Sequence, residues 1–119
     1  MTDSLRDERI LKHMLNWCIQ NTEAHQQYSR SREAFDQIST YRNAVSMCLF
    51  QICELAGHLS DDFRSSHPEL PWQQINGMRN LLAHDYGNMN TESIWETSCN
   101  DIPGIEAFCR AHISSGGRE

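Results

Sequence analysis

One short segment of the chain brings together the side chains best suited to chemistry. Arg79-Asn80-Leu81-Leu82-Ala83-His84-Asp85-Tyr86 places a guanidinium, an amide, an imidazole, a carboxylate and a phenol around an apolar pair. An imidazole can take up or release a proton near neutral pH. A planar guanidinium suits the paired oxygens of a phosphate or carboxylate. We therefore treat this segment as the main candidate site.

Helical spacing limits how these groups can meet. On a regular helix Arg79 and Tyr86 lie on nearly one face, whereas Arg79 and His84 diverge by about 140°. Either the helix ends near Ala83 and turns His84 back, or the same motif from a second subunit completes the site across a two-fold axis. The alternative without catalysis is a solvated or ion-paired Arg79, with His84 and Tyr86 closing a helix end, where a cationic imidazole suits the helix dipole.

The elements around this segment are predicted to be helical, since Gly and Pro are few, at 6 and 3 residues. The apolar periodicity predicts a long helix from about Ser4 to Ser29, a short helix at Arg32 to Gln37 and a second long helix from about Thr40. A third main helix is predicted to begin at Pro71 and to be stopped by Gly87 and Asn88. Asn90 or Thr91 can cap a fourth helix, which Pro103 either kinks or ends by beginning a new one. Ser60 to Leu70 is predicted as a turn-rich connection. The fold class is therefore all-α, an up-down bundle of about four main helices in a single domain, 1–113, with a flexible tail at 114–119.

The second long helix carries two faces that differ from ordinary solvated surface. Its clearest stripe is apolar and is predicted to be core: Val45, Cys48, Leu49, Ile52, Cys53, Ala56 and Leu59. A second row mixes apolar and ionisable groups: Met47, Phe50, Glu54 and His58. This row suggests a partner surface; the alternative is a wide core stripe with two solvated edge residues.

Charge and hydropathy exclude several classes of protein. The 119 residues include 10 Lys and Arg against 16 Asp and Glu, a formal net charge of −6. No general positive field would attract nucleic acid, so contact with RNA would require a local cationic pocket. The apolar runs are far shorter than the ~20 residues of a membrane span, and Met1 to Arg9 is charged. We therefore expect a cytoplasmic protein without membrane contact.

Cysteine and histidine spacing gives no indication of a metal centre. The five cysteines are odd in number and form no C-x-x-C pair, which argues against a disulfide framework and a zinc ribbon. They are expected to be buried thiols: Cys18, Cys48, Cys53, Cys99 and Cys109. The six histidines form no H-x-x-x-H or H-E-x-x-H pattern. We therefore expect neither a metal nor another cofactor.

The candidate segment and its surroundings resemble a known family. Arg79, His84 and Tyr86, preceded by Leu70-Pro71-Trp72-Gln73-Gln74-Ile75-Asn76-Gly77-Met78, resemble the pattern P-W-x-x-I-x-x-x-R-N-x-x-x-H-x-Y of HepT-like proteins in the HEPN superfamily. Cys53-Glu54-Leu55-Ala56 resembles their G-E-A segment. Ser93-Ile94-Trp95-Glu96 and Asp101-Ile102-Pro103-Gly104-Ile105 resemble their C-terminal segment. The likeness runs from about Val45 to Cys109.

The resemblance implies a specific activity and partner. HepT-like proteins are homodimeric, metal-independent ribonucleases and the toxins of type VII-like toxin–antitoxin pairs. Their antitoxin, an MntA-type nucleotidyltransferase, silences them by transferring AMP from ATP to the motif tyrosine. Carried onto this chain, the resemblance makes Arg79 and His84 catalytic, Asn80 part of the same site, and Tyr86 the AMPylation target. Glu54 is a candidate supporting residue.

Two departures leave a rival hypothesis open. Cys53 replaces a small residue of the family pattern, and the net charge of −6 suits a small target such as a tRNA end better than long duplex RNA. The rival is a non-catalytic HEPN binding module that partners a nucleotidyltransferase and accepts AMP. An intact pair of Arg79 and His84 favours the enzyme, whereas the acidic charge favours the module.

Overall fold

The computed structural model describes residues 2–113, so the predicted tail at 114–119 lies outside the described residues. The elements follow in the order α1 (Asp3–Gln27), α2 (Arg32–Gln37), α3 (Ser39–Ala56), α4 (Asp61–Ser66), α5 (Trp72–His84), a 3₁₀ turn (Tyr86–Asn88), α6 (Thr91–Glu96), a π-helical segment (Thr97–Asp101) and α7 (Ile102–His112). No strand occurs in this range. Four of the helices are long, which confirms the predicted all-α bundle.

Short polar side chains start several helices by accepting a backbone N–H that has no helical partner. Thr2 accepts from Leu5 at the start of α1, Ser31 from Ala34 at α2, and Asn90 from Glu92 at α6. Ser60 does the same for Phe63 and thereby starts α4. The prediction of a turn-rich connection over Ser60 to Leu70 was therefore wrong for Asp61–Ser66, because it overlooked this cap.

The bundle packs around α1 and α3, which are neighbours. On its other sides α1 packs against α7, and α3 packs against α5. The fully buried side chains of α1 and α3 include Met14, Leu49 and Ile52. The apolar stripe predicted on α3 is confirmed as core. The packing leaves one edge of α3 beside α5, and this edge carries the candidate site.

The third main helix ends earlier than its sequence pattern predicts. Helix α5 stops at His84 and not at Gly87, and Asp85 follows with its N–H bonded to the carbonyl of Leu81. Tyr86 then begins a separate 3₁₀ turn. His84 remains the last helical residue, so the chain does not turn it back toward Arg79.

The fourth predicted helix is divided by the π-helical segment. In this segment the Ile102 N–H bonds to the carbonyl of Thr97, five residues earlier. The next carbonyl, of Ser98, has Pro103 at the same spacing, which has no N–H, and it accepts instead from the Asn21 side-chain amide at 3.2 Å. Pro103 lies in the first turn of α7, which follows the π-helical segment directly. Pro103 therefore begins a helix, which was one of the two predicted outcomes.

Four of the five thiols are buried as predicted, and burial raises the pKa of Cys48 to about 11 and of Cys53 to about 12. Cys99 contradicts the prediction, because it lies partly exposed in the π-helical segment with Arg30 Nη1 at 3.4 Å from its sulfur.

No described helix is long and apolar enough to cross a membrane.

Candidate functional site

The predicted second row of α3 lines a seam against α5. Glu54 and His58 lie at one end of the seam, Met47 lies toward the other end, and Phe50 lies between them. From α5, the seam receives Asn76, Arg79, Leu82 and Ala83. Arg79 lies near the middle, so it divides the seam into a polar end beside His58 and an apolar end beside Tyr86.

Arg79 is fixed in the seam by groups on both helices. Its Nε donates to Glu54 Oε1 at 2.7 Å, and its Nη1 donates to Asn80 Oδ1 at 3.3 Å. The guanidinium carbon lies 5.8 Å from the centre of the Phe50 ring, within cation–π range. The side chain is 31% exposed. Arg79 is thus an ion-paired residue whose guanidinium still reaches solvent.

Glu54 bridges two cationic or protonatable groups. Its second oxygen, Oε2, lies 3.1 Å from His58 Nε2. The hydrogen bond from Arg79 and then that from His58 lower the pKa of the Glu54 carboxyl below its ordinary value of 4.5. Glu54 therefore stays ionised at neutral pH and holds the Arg79 guanidinium in one orientation. Glu54 thus lies beside Arg79 as an ion-paired residue, and its supporting role at the site stays a prediction.

Tyr86 closes the apolar end of the seam. Its hydroxyl donates to Asn43 Oδ1 on α3. Together they border an open groove of about 440 Å³ that is also lined by Ser46, Met47, Phe50, Leu82 and Ala83. Phe50 contacts both this groove and the Arg79 guanidinium, so Tyr86 and Arg79 lie along one seam.

His84 lies away from the other site groups of its own chain. It is exposed at the end of α5, and no hydrogen bond, ion pair or ring contact involves its side chain within residues 2–113. Asn80 is also exposed, and it contacts Arg79 directly. The structure therefore brings together Arg79, Asn80 and Glu54 but does not bring His84 to them.

Sequence reasoning missed Asn43 and gave His58 no chemical role. His58 is already a member of the second row, and Asn43 extends that row because it lies four residues before Met47. That spacing was a usable signal for their position on the seam. The bond from Tyr86 to Asn43 was not predictable in this way, because it depends on where the 3₁₀ turn places the phenol.

The described residues contain no group of three or more His, Cys, Asp or Glu side chains positioned to hold a metal ion. The seam offers instead a guanidinium, a bridging carboxylate, an imidazole at His58 and two amides at Asn80 and Asn76. Such groups can bind an anion such as phosphate and can transfer protons.

Comparison with known proteins identifies one family. The ribonuclease HepT-like family matches residues 15–112, which is most of the chain. The match includes α3, α5 and Tyr86, and therefore the whole seam described above. No solved structure is significantly similar to the chain.

Curated relatives carry ribonuclease names. A protein of Caldanaerobacter subterraneus named "Putative RNase" is 42% identical over 55 residues, covering 46% of this chain and 49% of the relative. A "Probable ribonuclease HepT" of Thermococcus cleftensis is 35% identical over 63 residues, covering 53% of this chain and 57% of the relative. A "Putative RNase" of Methanocaldococcus jannaschii is 34% identical over 65 residues, covering 55% and 60%. The chain thus spans about half the length of the curated relatives it matches.

Proposed function

Because the chain belongs to the ribonuclease HepT-like family, we propose that it is a metal-independent endoribonuclease and the toxin of a type VII-like toxin–antitoxin pair. The observation that carries this proposal is the position of Arg79, which Glu54 and Asn80 hold in an open seam while leaving its guanidinium partly exposed. A guanidinium held in this way suits binding to a phosphate of RNA.

The proposed reaction uses proton transfer in place of a metal ion. The ribose 2′-oxygen loses its proton to a base and attacks the adjacent phosphorus, while the bond from phosphorus to the leaving 5′-oxygen breaks. An acid protonates that 5′-oxygen, so that a 2′,3′-cyclic phosphate and a 5′-hydroxyl result. Arg79 stabilises the charge that develops on the phosphoryl oxygens. His84 acts as the acid or the base, the role that an imidazole side chain most often fills in proton transfer.

A homodimer would place His84 where the chemistry needs it. Within one chain, His84 is exposed at the end of α5 and makes no contact with Arg79. A two-fold axis beside α3 and α5 would bring His84 of one copy to face Arg79 of the other. Each composite site then holds one Arg79 and one His84, and His84 supplies the acid or the base. We propose this arrangement because the single chain separates the two catalytic side chains.

We propose that Tyr86 is the site at which an MntA-like nucleotidyltransferase silences the toxin. The phenolic oxygen attacks the α-phosphorus of ATP, pyrophosphate leaves, and the phenolic proton passes to a base or to water. Tyr86 lies partly exposed at the mouth of the groove and its oxygen reaches only Asn43. AMP attached there would obstruct the groove and repel the phosphates of RNA.

One observation favours a second candidate function, a binding module without catalysis that accepts AMP from the same partner. The net charge of −6 provides no broad attraction for RNA. This candidate requires the Arg79 and Glu54 pair to be structural only. It predicts that the wild type cleaves no RNA and that removal of either side chain changes only stability.

The experiment that separates the two candidates compares Arg79→Lys with the wild type in cleavage of tRNA. Lysine keeps the positive charge but lacks the planar guanidinium and its Nε bond to Glu54. The enzyme hypothesis predicts a loss of cleavage of about 100-fold or more, as when a donor to a developing oxyanion is removed. Unchanged cleavage by a folded Arg79→Lys variant would exclude the proposed role of Arg79.

A further inference from the structure

We propose that the apolar groove beside Tyr86 is a nucleobase subsite, in which the base adjoining the bound phosphate inserts between α3 and α5. The inference rests on the proposed function, because it takes Arg79 as the phosphate-binding group. It specifies further what the seam recognises, namely a nucleotide held by its phosphate at Arg79 and by its base in the groove.

The groove has the size and lining that a base requires. Its volume of about 440 Å³ lies within the range typical of small-molecule sites. Its walls are apolar side chains of both helices: Met47, Phe50, Leu82 and Ala83. In the single chain Met47 is 50% exposed although it is a large apolar residue, so its side chain forms an open wall of the groove. Phe50 gives the groove an aromatic ring, and aromatic rings commonly contact bases.

Polar groups at the edge of the groove complement a base edge. The Tyr86 hydroxyl donates to Asn43 Oδ1, so the two N–H groups of the Asn43 side-chain amide can donate to a base. The Ser46 hydroxyl donates to the carbonyl of Arg42 at 2.8 Å, so the lone pairs of its oxygen remain able to accept. A donor and an acceptor beside an apolar wall are the features that recognition of a base edge uses.

The groove adjoins the phosphate-binding group directly. Phe50 lines the groove, and the Arg79 guanidinium carbon lies 5.8 Å from its ring centre. Arg79 spends its Nε on Glu54 and its Nη1 on Asn80, so its Nη2 group remains for a phosphate oxygen. A phosphate at Nη2 and a base in the groove would therefore lie on adjacent parts of one seam.

A base subsite also accounts for how an acidic chain could bind RNA. Most RNA-binding surfaces draw affinity from many phosphate contacts. Here the net charge is −6, and Arg79 is the cation of the seam between α3 and α5 within the described residues. Contacts with a base add affinity that does not depend on net charge, which compensates for the small number of cations.

The test is an NMR titration of the unmodified wild-type protein with two probes, AMP and ribose 5-phosphate. Both probes carry the phosphate that Arg79 would bind, and only AMP carries a base. We expect AMP to bind about tenfold more tightly, as stacking of one base on an aromatic side chain would give. We also expect AMP, but not ribose 5-phosphate, to shift the resonances of Met47 and Ala83.

A matched pair of variants locates the effect. Ala83→Leu adds bulk inside the groove, whereas Ala44→Leu makes the same change at an exposed position of α3 that does not line it. We expect Ala83→Leu to reduce the affinity for AMP to that for ribose 5-phosphate, and Ala44→Leu to leave the tenfold difference intact. Light scattering on both variants reports whether the groove instead holds a second copy of the chain.

The outcomes separate this inference from the proposed function. Equal affinity for the two probes, or no binding of either, would overturn the base subsite even if the protein cleaves RNA. Dissociation of a dimer by Ala83→Leu without a change in AMP affinity would also overturn it, in favour of a second copy as occupant. Preferential AMP binding that Ala83→Leu abolishes would support the subsite even if no RNA is cleaved.

Discussion

Glu54 on α3 accepts the Nε–H of Arg79 on α5 at 2.7 Å, and its other oxygen lies 3.1 Å from His58 on its own helix. This pairing joins the two helices that form the seam. It also fixes the orientation of the guanidinium while the side chain remains about one-third exposed. Several consequences of this arrangement can be measured.

Removal of the Glu54 charge should affect activity more than stability. Glu54→Gln keeps the shape of the side chain but breaks the ion pair, and a partly exposed pair contributes at most about 1 kcal/mol to the free energy of unfolding. We expect RNA cleavage to fall about tenfold through kcat, because Arg79 loses the group that orients it. Steady-state cleavage kinetics and urea denaturation measure the two effects. A fall in stability of several kcal/mol with unchanged kcat would show that the pair is structural.

The ionisation of Glu54 also gives the pair a pH dependence. Because the pKa of the Glu54 carboxyl is lowered in the folded protein, its stabilising effect is present above the ordinary value of 4.5 and is lost as the pH falls through the lowered value. Glu54→Gln should therefore lose less stability than the wild type when the pH is lowered below 4.5. Urea denaturation at pH 7 and at acidic pH tests this difference.

Tyr86→Phe should separate regulation from cleavage. The substitution removes the phenolic oxygen that would accept AMP. It also removes the hydrogen bond that this hydroxyl donates to the exposed side chain of Asn43. We expect cleavage of RNA to remain within a few-fold of the wild type, since no step of the proposed reaction uses the phenol. Incubation with the nucleotidyltransferase and ATP should then neither add AMP, as measured by intact mass, nor inhibit cleavage. AMP incorporation equal to that of the wild type would show that the acceptor is another residue.

A buried histidine should make the fold sensitive to acid. His25 is fully buried, with Nδ1 at 2.6 Å from the Tyr41 hydroxyl and Nε2 at 2.9 Å from Ser98 Oγ. Ser98 Oγ donates to the carbonyl of Trp95, so His25 Nε2–H donates to Ser98 and the Tyr41 hydroxyl donates to Nδ1. Burial, and then the charge of Arg30, lower the pKa of His25 from 6.5 to about 4. The neutral imidazole is thus the form that the fold accommodates.

The sign of the pH effect follows from this lowered pKa. Between pH 6.5 and 4 the unfolded chain binds the His25 proton and the folded protein does not, so stability falls by about 1.4 kcal/mol per pH unit from this residue. We expect His25→Gln to reduce the slope of unfolding free energy against pH in this range. The control is His13→Gln, at an exposed position of the same helix, which should leave the slope unchanged. An NMR titration showing that His25 titrates near 6.5 would contradict the prediction.

The composite site requires two copies of the chain. We expect multi-angle light scattering to give twice the monomer mass of 13.8 kDa at micromolar concentration. A mixture of Arg79→Ala and His84→Ala proteins should then recover cleavage that neither has alone, because each heterodimer keeps one intact pair across the axis. A monomer at micromolar concentration, or the absence of recovery in a mixture shown to exchange subunits, would argue against the composite site.

The sequence predicted those parts of the fold that depend on apolar periodicity. The core stripe of α3 and the bounds of α2 are confirmed, because repeated apolar positions determine which face is buried. The end of α5 and the presence of α4 were mispredicted, since both depend on local hydrogen bonds at single residues such as Ser60.

For the candidate site, sequence reasoning named candidate residues whose functional roles stay predictions, and it missed several of their contacts. The spacing placed Glu54 on the second row of α3, and the structure pairs it with Arg79. Other contacts join residues that are far apart in the chain. Tyr86 and Asn43 are separated by 43 positions, and His25 and Ser98 by 73 positions. Such contacts depend on tertiary packing, which no local pattern encodes.

The most direct measurement is cleavage of total cellular RNA and of tRNA in excess EDTA, with wild type and His84→Ala each expressed without a partner. The account predicts that the wild type cleaves both substrates without metal and leaves 2′,3′-cyclic phosphate ends. His84→Ala should remain folded, because His84 is exposed, and should not cleave. Absence of cleavage by a wild-type protein whose intact mass shows no AMP, or equal cleavage by His84→Ala, would contradict it.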